Sequence, residues 1–342
     1  MYSFTRGERY DECKNDRLTF VRTLPERTRC SEGGYRIIAL LSHASKRVNQ
    51  SWLNMGDDPP PSGWKLHHID DGVDDELLSS LVRSFDEDGF ICLSSLFDEE
   101  TVQRLREAAD VNFEECFQRL YDGGHTSFPR YCNQDNEKEY AILKGVTAGF
   151  KEIVMRSPGR FEMPYGCLRQ PFNDEAIVNN ESLLRVVKAL FSGEESYICN
   201  VSIVYATPGS TDQAWHADGG HINLQAHEKC HCFNLFVPLV DVNRSLGPTE
   251  LRPGSHYLTR NLAPMMLAAK ARGKLRSPVM PMLRAGSALL FDYRVLHRGR
   301  ANTSEVDRPI LVMTFARRTF KDRLNFPSKS INDCPVQHSD TS

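Results

Sequence analysis

Two kinds of hydrophobic rhythm divide this chain. In DDELLSSLVRSFDEDGF, residues 74–90, apolar positions recur every three or four residues and Gly89 stands where a helix would end. ICLSSLF then reads as a short strand. DEETVQRLREAADVNFEECFQRLYDGG, 98–124, has acids in its first turn, a long amphipathic body and terminal glycines, the marks of a second helix. Residues 122–180 read as rich in loops, and NESLLRVVKALF, 180–191, as a further helix.

From residue 196 the period shortens to two. SYICNVSIVYATPGS, QAWHADGGHINL, CFNLFVPLVDV, GPTELRPGSHYLT, VMPMLRAGSALLFDYRVLHRG and RPILVMTFARR follow one another, β-branched and aromatic, punctuated by Gly, Pro, Asn and Asp. No helices alternate with them, which disfavours a parallel βαβ sheet. The expected fold is mainly β with flanking α-helices: an antiparallel sandwich or jelly roll, the helices supplied by the first half. Residues 1–75 are polar and irregular and read as an N-terminal arm. A single domain is expected over 76–330, its β core at about 196–320, followed by a tail at 331–342.

Composition narrows the function. The chain has 342 residues, 40% apolar and 25% charged, with a net charge of −3. That balance gives no general affinity for nucleic acid or anionic membranes. No apolar run approaches the roughly 18 residues of a spanning helix. The opening MYSFTRGERYDECKND places charges where a signal peptide would be apolar, so a cytoplasmic location is expected. Ten scattered cysteines then read as reduced thiols. HEKCHC, 227–232, looks like a metal tract, but C-H-C is not a zinc-knuckle spacing, and Cys232 reads better as the start of an apolar strand.

The chemistry begins at AWHADGGHINL, residues 214–224. His216 and Asp218 are two apart, so on a strand both would face one ion. Imidazole and carboxylate suit a first-row divalent metal, and two histidines with one carboxylate form the facial triad of non-haem iron(II) oxygenases. His297, which ends the run AGSALLFDYRVLH, is the best third ligand. H-x-D alone is weak evidence; the ordering strengthens it, with a histidine 79 residues beyond Asp218 and Arg308 another 11 on. Arg308 opens the last apolar strand, where a guanidinium needs a partner. That partner is either a neighbouring carboxylate, Asp307 or Glu305, or a small diacid.

With these residues in place, the sequence resembles the phytanoyl-CoA dioxygenase-like family of iron(II)/2-oxoglutarate-dependent oxygenases. The likeness rests on H216-A-D218, on GPTELRPGSH (247–256), on the H297-to-R308 segment and on FDEDGFICLSSLFDEETVQRLREAA (85–109). It spans about 76–320. The resemblance implies a double-stranded β-helix (jelly-roll, cupin-like) core. It further implies iron held by His216, Asp218 and His297, and Arg308 on the far carboxylate of 2-oxoglutarate, with Gln213 and Thr249 in the same pocket. The implied cofactors are Fe(II), 2-oxoglutarate and O2, with ascorbate as an optional reductant. The implied reaction oxidises an unactivated C–H bond of a small molecule and releases succinate and CO2. Asp218 stands where family halogenases have a small residue, so halogenation is not expected.

Further candidates for substrate contact are His221, Asn234, Arg252, His256 and Arg298, each of which has an ordinary structural reading as a turn, core or solvated residue. Trp215, opposite to His216 on a strand, reads as core, and His67-His68 as a solvated loop. Two other readings stay open: a zinc hydrolase, which would not need Arg308 as a clamp, and a non-catalytic, metal-stabilised binding scaffold. No compound and no oligomeric state can be read from the residues.

Overall fold

The computed structural model describes residues 63–70, 72–125, 149–164, 170–260, 269–321, 327 and 329–333. The chain divides into two units, Met1–Pro59 and Pro60–Ser342, and the described residues all lie in the second. Most of the expected arm and the end of the tail fall outside them.

The predicted helices form. Helix α1, Asp75–Asp88, starts where the Asp74 carboxylate accepts from Leu77 N at 2.7 Å. It stops at Gly89, whose φ of 81° is the left-handed conformation that closes a helix. Helix α2, Glu99–Asp122, is capped by Asp98 on Thr101 N. A short α3, Glu175–Val178, leads to α4, Glu181–Leu190, capped by Asn180 on Leu183 N. The buried stripes of α1, α2 and α4 share one apolar cluster with the large sheet. Within it Phe113 of α2 stacks on Tyr205 at 4.0 Å.

Eleven described strands make two sheets. In chain order they are β1 Leu66–His67, β2 Phe90–Leu93, β3 Gly149–Phe150, β4 Ile153–Ser157, β5 Arg160–Pro164, β6 Ser196–Ala206, β7 Cys232–Pro238, β8 Thr249–Leu251, β9 Ala288–Asp292, β10 His297–Gly299 and β11 Arg308–Arg317. Nine of them form a sheet in the order β1-β2-β9-β7-β11-β6-β5-β4-β3, and β8 pairs with β10 in a second. All pairings are antiparallel except β1 with β2. The fold is the expected jelly roll, mainly β with flanking helices.

Three local expectations change. QAWHADGGHINL is not a strand; it holds one bridge, His216 to His297, because its glycines and polar residues supply no ladder. The loop-rich stretch 122–180 contains β3, β4 and β5; the last two form a hairpin turned by Pro158-Gly159, with Gly159 at φ 70°. Leu66–His67, placed in the arm by sequence, pairs with Cys92 and Leu93, so His67 is buried and His68 exposed.

Candidate active site

The register of the central strands builds the site. On β11, Arg308, Ile310, Val312 and Thr314 fall on one face because strand side chains alternate. Their partners on β7 are Pro238 for Ile310, Phe236 for Val312 and Asn234 for Thr314. Arg308, Ile310, Phe236, Pro238 and Leu289 line a cavity together with Thr249 of β8 and Leu283.

His216, Asp218 and His297 converge. One ligand atom from each lies within 4.8 Å of the others, and among the described residues this is the one such group. Asp218 Oδ1 is 3.6 Å from His216 Nε2, and Oδ2 is 3.5 Å from His297 Nε2. Paired backbone bonds between His216 and His297, at 3.0 and 2.9 Å, hold the two segments together. The tautomers follow from the partners. His216 Nδ1 lies 2.8 Å from Ala214 O and His297 Nδ1 lies 3.1 Å from Val295 O. A carbonyl only accepts, so each Nδ1 donates its hydrogen, and the neutral ring offers its lone pair at Nε2. Burial, opposed by Asp218, holds His297 below the usual imidazole range. Two imidazole nitrogens and a carboxylate thus face one another across the distances a cation between them would use. The donor set therefore fits a divalent metal of the first row.

Arg308 lies in the cavity wall, 1% exposed, and its Nη1 donates to Gly247 O. Its Nε has no partner, and no described carboxylate is in ion-pair contact with it. Neither Asp307 nor Glu305 neutralises it, so burial pushes its pKa well below the usual arginine range, with Arg160 adding to the effect. Thr249 is buried in the same wall. Gln213 grips the Gly299 peptide, its main-chain N donating to Gly299 O at 2.9 Å and its Oε1 accepting from Gly299 N at 3.0 Å.

Arg160 was not among the residues singled out from sequence. It is 1% exposed, donates to Arg300 O at 2.8 Å, and has its pKa lowered by burial to about 10. A Cβ on Gly299 would come within 2.7 Å of its guanidinium and 2.8 Å of Gln213 Oε1, so the absent side chain makes room for both. The signal was present: the Pro-Gly turn marks a hairpin, and the arginine opens its second strand.

The remaining candidates are distributed differently. Asn234 donates to Asp218 Oδ2 at 2.6 Å and so belongs to the metal cluster's surroundings. His221 Nε2 lies 3.0 Å from Thr259 Oγ1, which itself donates to Arg294 O. His256 is buried, its Nε2 donating to Asp86 O at 3.0 Å. Arg298 and Arg252 are not brought to the cluster. With His297 facing inward, alternation sends Arg298 outward, where its Nε donates to Glu250 at 2.6 Å. Both guanidiniums stack on the Trp215 ring, Arg252 at 4.7 Å and Arg298 at 4.8 Å. Trp215 is thus half-buried between two cations and does not lie in the core.

The chain is similar to several known proteins. The dioxygenase cdmD of Talaromyces verruculosus is 27% identical over 190 residues, 52% of this chain and 56% of that protein. The chain thus spans little more than half the length of that relative. Among solved structures, AviO1 from Streptomyces viridochromogenes Tue57 covers 73% of this chain and 97% of its own at 19% identity, with a TM-score of 0.49. SnoK, a non-haem α-ketoglutarate-dependent carbocyclase from nogalamycin biosynthesis, covers 72% of this chain and 85% of its own at 17% identity, with a TM-score of 0.48. The phytanoyl-CoA dioxygenase (PhyH) profile matches residues 85–310, a span that holds the hairpin arginine, the histidine–carboxylate cluster and Arg308. The chain belongs to the phytanoyl-CoA dioxygenase family of non-haem iron, 2-oxoglutarate-dependent dioxygenases.

Proposed function

We propose that this protein is an iron(II)- and 2-oxoglutarate-dependent dioxygenase that oxidises an unactivated C–H bond of a small organic molecule, releasing succinate and CO2. The observation that carries the reading is the buried Arg308 guanidinium, with no described carboxylate in ion-pair contact and a second buried guanidinium, Arg160, acting on it, together with the cluster of three acceptors at His216, Asp218 and His297. An unpaired buried cation is costly, and a second buried cation two strands away adds to the cost. A dianionic dicarboxylate relieves both, and the acceptor cluster needs a cation of its own.

His216, Asp218 and His297 would hold the iron, which with 2-oxoglutarate and O2 supplies the oxidising power. The chain's own residues do the rest. Arg308 offers a planar fork to the distal carboxylate, and Thr249 lies beside it as a hydroxyl donor. Gln213, its Oε1 committed to Gly299, keeps its amide hydrogens for the same ligand. Phe236, Leu283, Leu289 and Ile310 keep the pocket apolar, which strengthens those bonds and excludes water. His216 is about one-third exposed and His297 nearly buried, so a substrate approaches from the His216 side. His221, three residues past Asp218, is the first substrate-contact candidate on that side. A zinc hydrolase has no use for a buried arginine without a carboxylate, and a structural metal would not need one either.

The test is anaerobic titration of iron(II) and 2-oxoglutarate into the purified apoprotein, followed by the visible metal-to-ligand charge-transfer band. The band is expected with wild type and lost in His216→Ala and Arg308→Ala. A folded, iron-loaded protein that gives no band with 2-oxoglutarate would overturn the reading.

A further inference from the structure

The carboxylate of Asp218 meets the two imidazoles with both its oxygens. Oδ1 lies 3.6 Å from His216 Nε2 and Oδ2 lies 3.5 Å from His297 Nε2. Distance alone does not say which oxygen would take the ion. The surroundings do. Asn234 Nδ2 donates to Oδ2 at 2.6 Å, a short bond of the charge-assisted kind. The carboxylate fixes the amide's orientation because it only accepts, and Asn234 Oδ1 then accepts from Thr314 Oγ1 at 2.7 Å. A flipped amide would set its oxygen against the carboxylate oxygen, two acceptors facing one another.

Thr314 and Asn234 are direct register partners across β11 and β7, both buried, so the sheet itself sets their spacing. The residue after Thr314 is where the β11–β6 register shifts, and the hydroxyl precedes that irregularity.

We infer that Asn234, held by Thr314, is a positioning residue that engages Oδ2 of Asp218 and leaves Oδ1 as the metal-binding oxygen. The inference rests on the iron site proposed above. Its chemical point is a count of positions. An octahedral ion that takes two imidazoles and one carboxylate oxygen keeps three positions open, enough for a chelating keto acid and dioxygen. A carboxylate binding through both oxygens would leave two and crowd out one of them. The same bond also withdraws the lone pair most exposed to His297 and fixes the carboxylate before the ion arrives.

The experiment uses the full chain as apoprotein and cobalt(II) as the probe, its affinity measured by calorimetry and its environment by visible absorption. Thr314→Val keeps the shape and deletes the hydroxyl, Thr314→Ser keeps the hydroxyl, and Asn234→Leu deletes the amide. Asn234→Leu and Thr314→Val should each weaken cobalt binding, by about 10- to 100-fold for loss of an outer partner, and change the cobalt absorption bands. The double variant should lose no more than Asn234→Leu alone, because the two residues act in series. Thr314→Ser should bind as wild type. Unchanged affinity and spectrum in Thr314→Val, or losses that add in the double variant, would overturn the relay. His216→Ala separates the two ideas: if it abolishes cobalt binding while the relay variants retain it, the relay alone fails. If it too leaves binding intact, the metal site fails with it.

Discussion

Arg160 and Arg308 stand in one row of the large sheet, on either side of Ala206, which is the register partner of both. Adjacent strands lie about 4.8 Å apart, so the two side chains leave the same face roughly 10 Å from each other across a residue that offers only a methyl group. Arg160 thereby lowers the pKa of Arg308, which has no anion beside it, whereas Asp212 partly offsets the burial of Arg160.

Replacing Arg160 with methionine should therefore weaken 2-oxoglutarate binding by about 10-fold or more, the worth of one charge-assisted bond, while iron affinity stays the same. Calorimetric titration of metal and then keto acid separates the two. Equal weakening of both would mean that Arg160 supports the fold around the cluster and does not face the ligand.

Trp215 and Arg298 give a second expectation. Each is the chain neighbour of a cluster histidine, and their stack, completed by Arg252, lies outside the bridge that joins His216 to His297. An exposed cation–π contact contributes about 0.5–1 kcal/mol, so Trp215→Ala should cost about 1–2 kcal/mol of stability. It should also loosen metal binding, and Trp215→Phe should restore part of both. Chemical denaturation of the apoprotein checks the first point and metal titration the second; a Trp215→Ala protein with unchanged midpoint and affinity would sink the idea.

Gly247 presents its carbonyl to Arg308 from a φ of 73°, and a side chain there would run into the main-chain oxygens of Arg300 and Ala301. Gly247→Ala combines left-handed strain with a backbone clash, so it should cost about 2 kcal/mol or more. Because the carbonyl would move, 2-oxoglutarate affinity should fall further than global stability explains. Thermal unfolding with and without the keto acid measures the difference.

Acid should unfold the metal-free protein through its histidines. Burial holds His67, His221, His231 and His256 at about 4, below the usual value near 6.5. The unfolded chain thus binds more protons between pH 6.5 and 4. Stability is full above pH 6.5 and drains as pH falls through that window. The Tm should be flat above about pH 7 and drop steeply below 6.5, with a shallower slope in His256→Gln. A slope in that window that His256→Gln leaves unchanged would show that His256 takes no part.

What could be read from the sequence was what local chemistry sets. Asp74, Asp98 and Asn180 cap helices because their oxygens meet free N–H groups a few residues on, and the period-two segments became strands wherever both faces could be buried. The order H-x-D, distant His, Arg was visible for the same reason: ligand type and spacing are one-dimensional. AWHADGGHINL does bring His216 and Asp218 into one cluster with His297, but not as the expected strand, since a single bridge does the work assigned to a ladder.

Tertiary structure alone decided the rest, because register across strands is set by packing far along the chain. It put Arg160 of an unrecognised hairpin level with Arg308, 148 positions later in the sequence. It placed Thr314 opposite Asn234 and Asn234 against Asp218, and it turned Arg298 outward when His297 turned in. Residue types announced the chemistry; strand pairing chose which of them share one cavity.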